Sequence, residues 1–128
     1  MRVVALDYGS SRTGVAVSDE TGTVARPVGV VRRVRRPDGM RELVATIAGL
    51  APDRVVVGLP LTLRGEHGAQ ASETLEFVRE LAERCPVPID TYDERFTTAL
   101  AVRGEGHAGE DAVAAAHLLQ GYLERCVE

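Results

Sequence analysis

Residues 54 to 59, Arg-Val-Val-Val-Gly-Leu, form an apolar run behind a single arginine and are closed by Pro60. A strand with no polar side to turn to water belongs inside a sheet covered on both faces, as parallel strands are. Covering layers are available. Met40, Leu43, Val44, Ile47 and Leu50 recur at helical spacing in residues 40 to 50, and Ala71, Leu75, Val78 and Leu81 do so in 69 to 84, before Pro86. An amphipathic helix is also predicted over 111 to 126.

The remaining strands follow from shorter signals. Residues 2 to 8 are apolar and β-branched up to an acid, Gly9-Ser10-Ser11 reads as a turn, and 14 to 19 and 24 to 34 are further extended stretches around Thr21-Gly22-Thr23. Tight connections make these three an antiparallel meander. Strand 54 to 59 then lies beside the first, 61 to 68 is loop, and 87 to 92 is the last strand. Residues 96 to 102 read as a short helix and 104 to 109 as a flexible link. The order βββαβαβα predicts one α/β domain: a mixed five-stranded sheet, three antiparallel strands then two parallel, flanked by helices. At 128 residues such a chain buries roughly two thirds of its unfolded surface.

Composition narrows the function. The formal net charge is −4, which argues against coating nucleic acid by bulk electrostatics, so any phosphate site must be local. All 15 basic residues are arginine. No apolar stretch approaches the roughly 20 residues that span a bilayer, and the N-terminus meets Asp7 too early for a secretory signal, so no membrane association and a cytoplasmic location are expected. Cys85 and Cys126 form no CxxC pair and read as thiols. His67, His107 and His117 show no ligand spacing, and five aromatics are too few for an extended base-stacking platform.

Three acidic positions converge on the carboxyl edge of the sheet, where ligands of such folds gather. Asp7 ends the first strand ahead of Gly9. Asp111 heads a helical stripe continued by Ala114, Ala115, Leu118, Leu119 and Tyr122, but on the residues alone reads first as a helix N-cap. Asp93 and Glu94 are adjacent at the end of the last strand, so only one can face Asp7, while Arg95 can neutralise the other. Carboxylates gathered without lysines repel, and hard divalent cations are the natural remedy. For phosphate contact the candidates are Arg12 and Arg64 in loops, and the run Arg32-Arg33-Val34-Arg35-Arg36, in which Arg32, Arg33, Arg35 and Arg36 alternate faces if the strand continues. That run suits a phosphate track or a charge-protected edge strand equally.

The segments Asp7-Tyr8-Gly9-Ser10-Ser11-Arg12-Thr13-Gly14-Val15-Ala16-Val17, Ala25-Arg26-Pro27, Val57-Gly58-Leu59-Pro60-Leu61 with Gly65, Asp93-Glu94-Arg95-Phe96-Thr97-Thr98, and Asp111 with Ala114-Ala115 and Leu118 to Leu123 together resemble the YqgF family, also called RuvX. The resemblance runs in order over nearly the whole chain. It implies a ribonuclease H-like fold related to the junction resolvase RuvC, and a nuclease that matures the end of pre-16S rRNA or resolves Holliday junctions. By position it places the acidic site on Asp7, Glu94 and Asp111, which selects Glu94 over Asp93 and a site role over the cap for Asp111. These residues would hold two Mg²⁺ or Mn²⁺ ions, about 3.5 to 4 Å apart in such sites, for phosphodiester hydrolysis. Arg12, Arg64, Arg95 and the arginine run would hold the nucleic acid. Where the family commonly carries a longer basic segment, residues 104 to 110 are short and acidic.

Two other readings compete. An acid, a glycine turn and a returning strand also open the nucleotide site of actin-like ATPases, but the chain offers no second phosphate loop or second domain. A catalytically silent RNA- or ribosome-binding protein of the same fold is the other. The sequence does not choose between precursor rRNA and branched DNA, and a symmetric junction would favour a homodimer presenting two sites.

Overall fold

In the computed structural model, which describes residues 1–60, 68–94 and 108–126, the apolar run forms β4 (Arg54–Leu59) in the interior of a sheet. On one side β4 pairs in parallel with β1 (Val3–Asp7), and on the other with β5 (Ile89–Asp93). β1 continues antiparallel to β2 (Arg12–Ser18), and β2 to β3 (Ala25–Arg32), giving the order β3-β2-β1-β4-β5. This is the mixed five-stranded sheet expected from the sequence. Carboxyl ends of β1, β4 and β5 share one edge because those three strands are parallel.

Helices cover both faces. α1 (Pro37–Leu50) and α2 (Ala69–Ala82) pack on one, where Val4, Leu6, Val15, Val17, Val55 and Val57 meet Leu43, Ile47, Phe77 and Leu81. α3 (Ala108–Cys126) packs on the other, where Val3, Ala5, Ala16, Val56 and Tyr92 meet Ala115, Leu118, Leu119, Tyr122 and Leu123. Alternate residues of each strand serve alternate layers, as the pleat requires. Buried Cys85 belongs to the first layer.

Several boundaries differ from the sequence expectation. α1 begins three residues earlier, at Pro37, whose fixed φ and missing N–H suit the first helical turn. α3 begins at Ala108, so 108 and 109 are helical rather than linker, and Asp111 stands inside the first turn instead of capping it. The short helix expected over 96 to 102, the loop 61 to 67 and residues 104 to 107 lie outside the described residues.

The arginine run does not continue as a strand. β3 stops at Arg32, and Arg33 turns into the left-handed region at φ 50°. There its N–H donates to the Ser11 carbonyl at 3.0 Å and its carbonyl accepts from the Arg36 N–H at 3.0 Å. Gly39 in α1 permits this turn, since a Cβ there would collide with the Arg32 and Arg33 carbonyls. Val34 is fully buried beneath it. The strict alternation of arginines between two faces is therefore replaced by a turn that exposes Arg32, Arg33, Arg35 and Arg36. Among the described residues no helix is long and apolar enough to cross a membrane.

Candidate active site

Asp7 is the last residue of β1 and follows Val3 and Ala5 on the face covered by α3. Its residue is only 8% exposed. The neighbours of Asp7 across the sheet are glycines. Gly14 of β2 is its register partner, and Gly58 of β4 follows Val57 as Asp7 follows Leu6, the two being paired. The carboxylate thus stands in a row whose two flanking positions carry no side chain.

That gap is filled from elsewhere in the chain. Over Gly14 lies the backbone of Asp111, so close that a Cβ on Gly14 would collide with its carbonyl. Over Gly58 lies Glu94, whose Cγ and Oε2 would each stand 2.9 Å from a Cβ there, with Leu118 Cδ2 at 3.0 Å. The structure therefore brings Asp7, Glu94 and Asp111 to one edge and one face of the sheet. Strand alternation puts Tyr92 in the α3 layer, and so sends its neighbour Asp93 to the other side.

Asp111 is the acid whose surroundings are most fully defined. Its carboxylate, about a quarter exposed, faces the Arg12 guanidinium, with Nε 3.1 Å from Oδ2. The N–H is not aimed along that line, because buried Oδ2 accepts no hydrogen bond. Among the described residues no three His, Cys, Asp or Glu are already gathered tightly enough to hold one ion. The donor set nevertheless suits a hard cation: carboxylate oxygens, two side-chain-free glycine positions and a buried oxygen short of a hydrogen bond.

A cleft of about 100 Å³ opens beside this edge, lined by Tyr8, Ser10, Pro60, Gln70, Glu73 and Glu94. Tyr8 stacks on Phe77, with centroids 4.6 Å apart, and donates its phenolic O–H to Glu73 Oε2 at 2.5 Å. Burial first, then the Glu73 carboxylate, pushes the Tyr8 pKa up to about 12, against a lowering by Arg35. Gly9 makes the return from β1 to β2 possible, since a Cβ there would collide with the Arg12 carbonyl.

The predicted phosphate contacts divide. Arg12 begins β2 rather than lying in a loop and is paired with Asp111. Arg35 is committed to α2, donating from Nε and Nη2 to Glu80 at 3.1 and 2.7 Å and standing 3.5 Å from Glu76. Arg32, Arg33 and Arg36 are exposed on the turn that Ser11 anchors, next to the site. Arg64 and Arg95 lie outside the described residues. Sequence reasoning missed Gly14 and Gly58 as the openings that admit the other two acids; glycine inside a strand pattern signals such close approach. Tyr8 with Glu73 carried no comparable signal.

A family model described as "RuvX: Holliday junction resolvase" matches residues 1–125. A protein of Desulforamulus reducens named "Putative pre-16S rRNA nuclease" is 35% identical over 133 residues, covering 97% of each chain. One of the same name from a Roseiflexus species is 39% identical over 132 residues, covering 96% of this chain and 94% of its own. In fold, the chain is similar to Thermus thermophilus RuvC solved in complex with a Holliday junction substrate, with a TM-score of 0.59 at 19% identity over 99% of this chain and 98% of that one.

Proposed function

The chain belongs to the RuvX family, and from that premise we propose a divalent-metal endonuclease in which Asp7, Glu94 and Asp111 hold the metal, Mg²⁺ or Mn²⁺. That it is a nuclease, a hydrolase of phosphodiester bonds, follows from the family and from the curated relatives, and it disfavours the silent binding protein as an alternative. One observation carries the assignment of the site: Asp7 at the end of β1, the Glu94 side chain over Gly58 and the Asp111 backbone over Gly14 fall at one edge and on one face of the sheet.

Divalent ions held by such a set would supply an activated water and offset the negative charge that develops on the phosphate in hydrolysis. The chain's own part is positioning. Asp7 is fixed by β1, with a strand on either side. Glu94 folds over Gly58, and Asp111 is carried in by a helix whose backbone seats on Gly14. Arg32, Arg33 and Arg36 line the approach and hold backbone phosphates, a role also proposed for Arg64 and Arg95, which lie outside the described residues; Arg35, paired with α2, supports the turn instead. Phosphate contacts orient a strand without reading its sequence.

We take the candidate substrates from the relatives' names. Precursor 16S rRNA is the first candidate, and a protein acting on it works in the cytosol where ribosomes assemble; the family description points to four-way DNA junctions as the second. On a junction, two equivalent scissile positions would call for a homodimer. Asp7→Asn should abolish metal-dependent cleavage of both substrates, assayed side by side in Mg²⁺ and Mn²⁺, while the circular dichroism and melting temperature stay those of a folded protein. Cleavage that survives in the folded variant removes Asp7 from the site.

A further inference from the structure

The contact between Arg12 and Asp111 differs from the ion pair that Arg35 makes with α2. Arg35 grips Glu80 with two aligned hydrogen bonds at 3.1 and 2.7 Å. Arg12 instead stands with Nε 3.1 Å from Asp111 Oδ2, and that oxygen is buried without accepting a hydrogen bond. A carboxylate oxygen removed from water and satisfied only by proximity to charge is poised to take a better partner. A divalent cation bonded directly to Oδ2 is one. The guanidinium cannot share the oxygen with it, because like charges at that range repel strongly in a partly buried site.

The backbone settles which partner gives way. Asp111 is seated on Gly14 through its main chain, so its carboxylate keeps its place whether or not Arg12 is there. Arg12 belongs to the same strand two residues earlier, on the same face, but its long side chain is about a quarter exposed and, once its partner oxygen is taken, would swing toward the rim. There it would join the exposed arginines of the adjoining turn, whose backbone is bonded to Ser11, the residue before it. A guanidinium fork released at that position matches phosphate oxygens.

We propose that Arg12 is the displaceable counter-ion of Asp111: it holds the carboxylate until a divalent cation takes Oδ2, and then engages a phosphate of the bound strand. The inference rests on the metal-site reading above. It makes Arg12 a positioning residue that couples metal loading to substrate grip, and by linkage each ligand then strengthens the other by the same factor.

The test is Mn²⁺ binding to the full chain without nucleic acid, followed by electron paramagnetic resonance, for the wild type and Arg12→Gln. Removing a competing cation should tighten Mn²⁺ roughly 5- to 10-fold in Arg12→Gln, the low end of an ordinary coupling between sites. A purely structural arginine gives the opposite sign, since a loosened Asp111 binds more weakly. Equal or weaker affinity in the variant overturns the proposal. Absence of Mn²⁺ binding by the wild type overturns the metal site itself, and Arg12's role with it. Should Arg12→Gln not fold, Arg12→Lys carries the measurement, with tightening in the same direction by a smaller factor, because the shorter-reaching ammonium lacks Nε; no tightening again overturns the proposal. In a second arm, Ca²⁺ should strengthen binding of a labelled four-way DNA junction more in the wild type than in Arg12→Gln. The same Ca²⁺ effect in both proteins removes the phosphate-binding half of the inference.

Discussion

The two faces of the sheet are built to different specifications. Toward α1 and α2 the strands present Val4, Leu6, Val15, Val17, Val55 and Val57, met by Leu43, Ile47, Phe77 and Leu81. Toward α3 the sheet still carries Val3, Val56 and Tyr92, but at and beside the site edge the central strands present Ala5, Gly14, Ala16 and Gly58, with the backbone of Asp111 and Ala112 against Gly14. Large side chains hold helices at the usual separation and contribute most of the transfer free energy. Small ones surrender part of that contribution and let a helix approach until its backbone rests on a strand. The acids sit on the small face, at the edge where this approach is closest. Close packing there is what delivers Asp111, from more than a hundred residues downstream, to the neighbourhood of Asp7.

If the large face supplies stability and the small face supplies geometry, substitutions on the two should separate stability from activity. Leu43→Ala on the large face should be the costliest for folding, about 3 kcal/mol, because Leu43 is fully buried and leaves a cavity. Urea denaturation measures it, and cleavage per folded molecule should stay within about twofold of wild type. A large loss of cleavage in the folded variant would break the division.

Gly14→Ala should invert that pattern. One methyl group on the small face meets the Asp111 carbonyl, which cannot move unless the first turn of α3 moves with it. The expected stability loss is about 2 kcal/mol, in the range for overpacking, and cleavage should fall roughly 100-fold as Asp111 is displaced. Gly58→Ala should be milder. Its new methyl group meets Glu94 Cγ and Oε2, the ends of a side chain that can rotate, so about tenfold in cleavage with under 1 kcal/mol in stability is expected. Equal effects of the two alanines would mean that the acids are not positioned by these glycines in the way the packing suggests.

Much of this architecture was legible in the chain because its signals are local. The apolar run 54 to 59 demanded an interior parallel strand, and β4 lies between β1 and β5. The stripe behind Asp111 faces the core as its spacing implies, with Ala115, Leu118, Leu119 and Tyr122 buried. What stayed hidden depends on contacts between distant segments. The turn at Arg33 needs Ser11 on one side and Gly39 on the other, and nothing in Arg32 to Arg36 announces either. The Arg12 to Asp111 pair spans 99 positions, and sequence spacing carries no trace of it. Pattern put Asp7, Asp111 and the Asp93-Glu94 pair forward, but only the resemblance chose Glu94 over Asp93 and a site role over a cap for Asp111, since an acid at a strand end or a helix start also reads as a turn or a cap.

Tyr8 offers the finest test of the comparison, because it points from the rim of the site into the large face. Its phenol donates to Glu73, and burial with that carboxylate raises its pKa to about 12 in the folded protein, against about 10 in an unfolded chain. A raised folded pKa means that the fold favours the protonated phenol. Its contribution is therefore fully present below pH 10 and is lost as pH rises through the interval up to about 12. Tyr8→Phe should cost about 1 kcal/mol at pH 8, a value reduced for the part of the ring that solvent screens. Between pH 8 and pH 11 the gap between wild type and variant should narrow by up to about 1 kcal/mol, as ionisation of the unfolded phenol erodes only the wild type. Urea denaturation of both proteins at the two pH values measures this, and a phenolate absorbance titration should lose its late-ionising component in the variant. A gap that does not change with pH would place the Tyr8 phenol in water. The stack on Phe77 would then be its only tie to the large face.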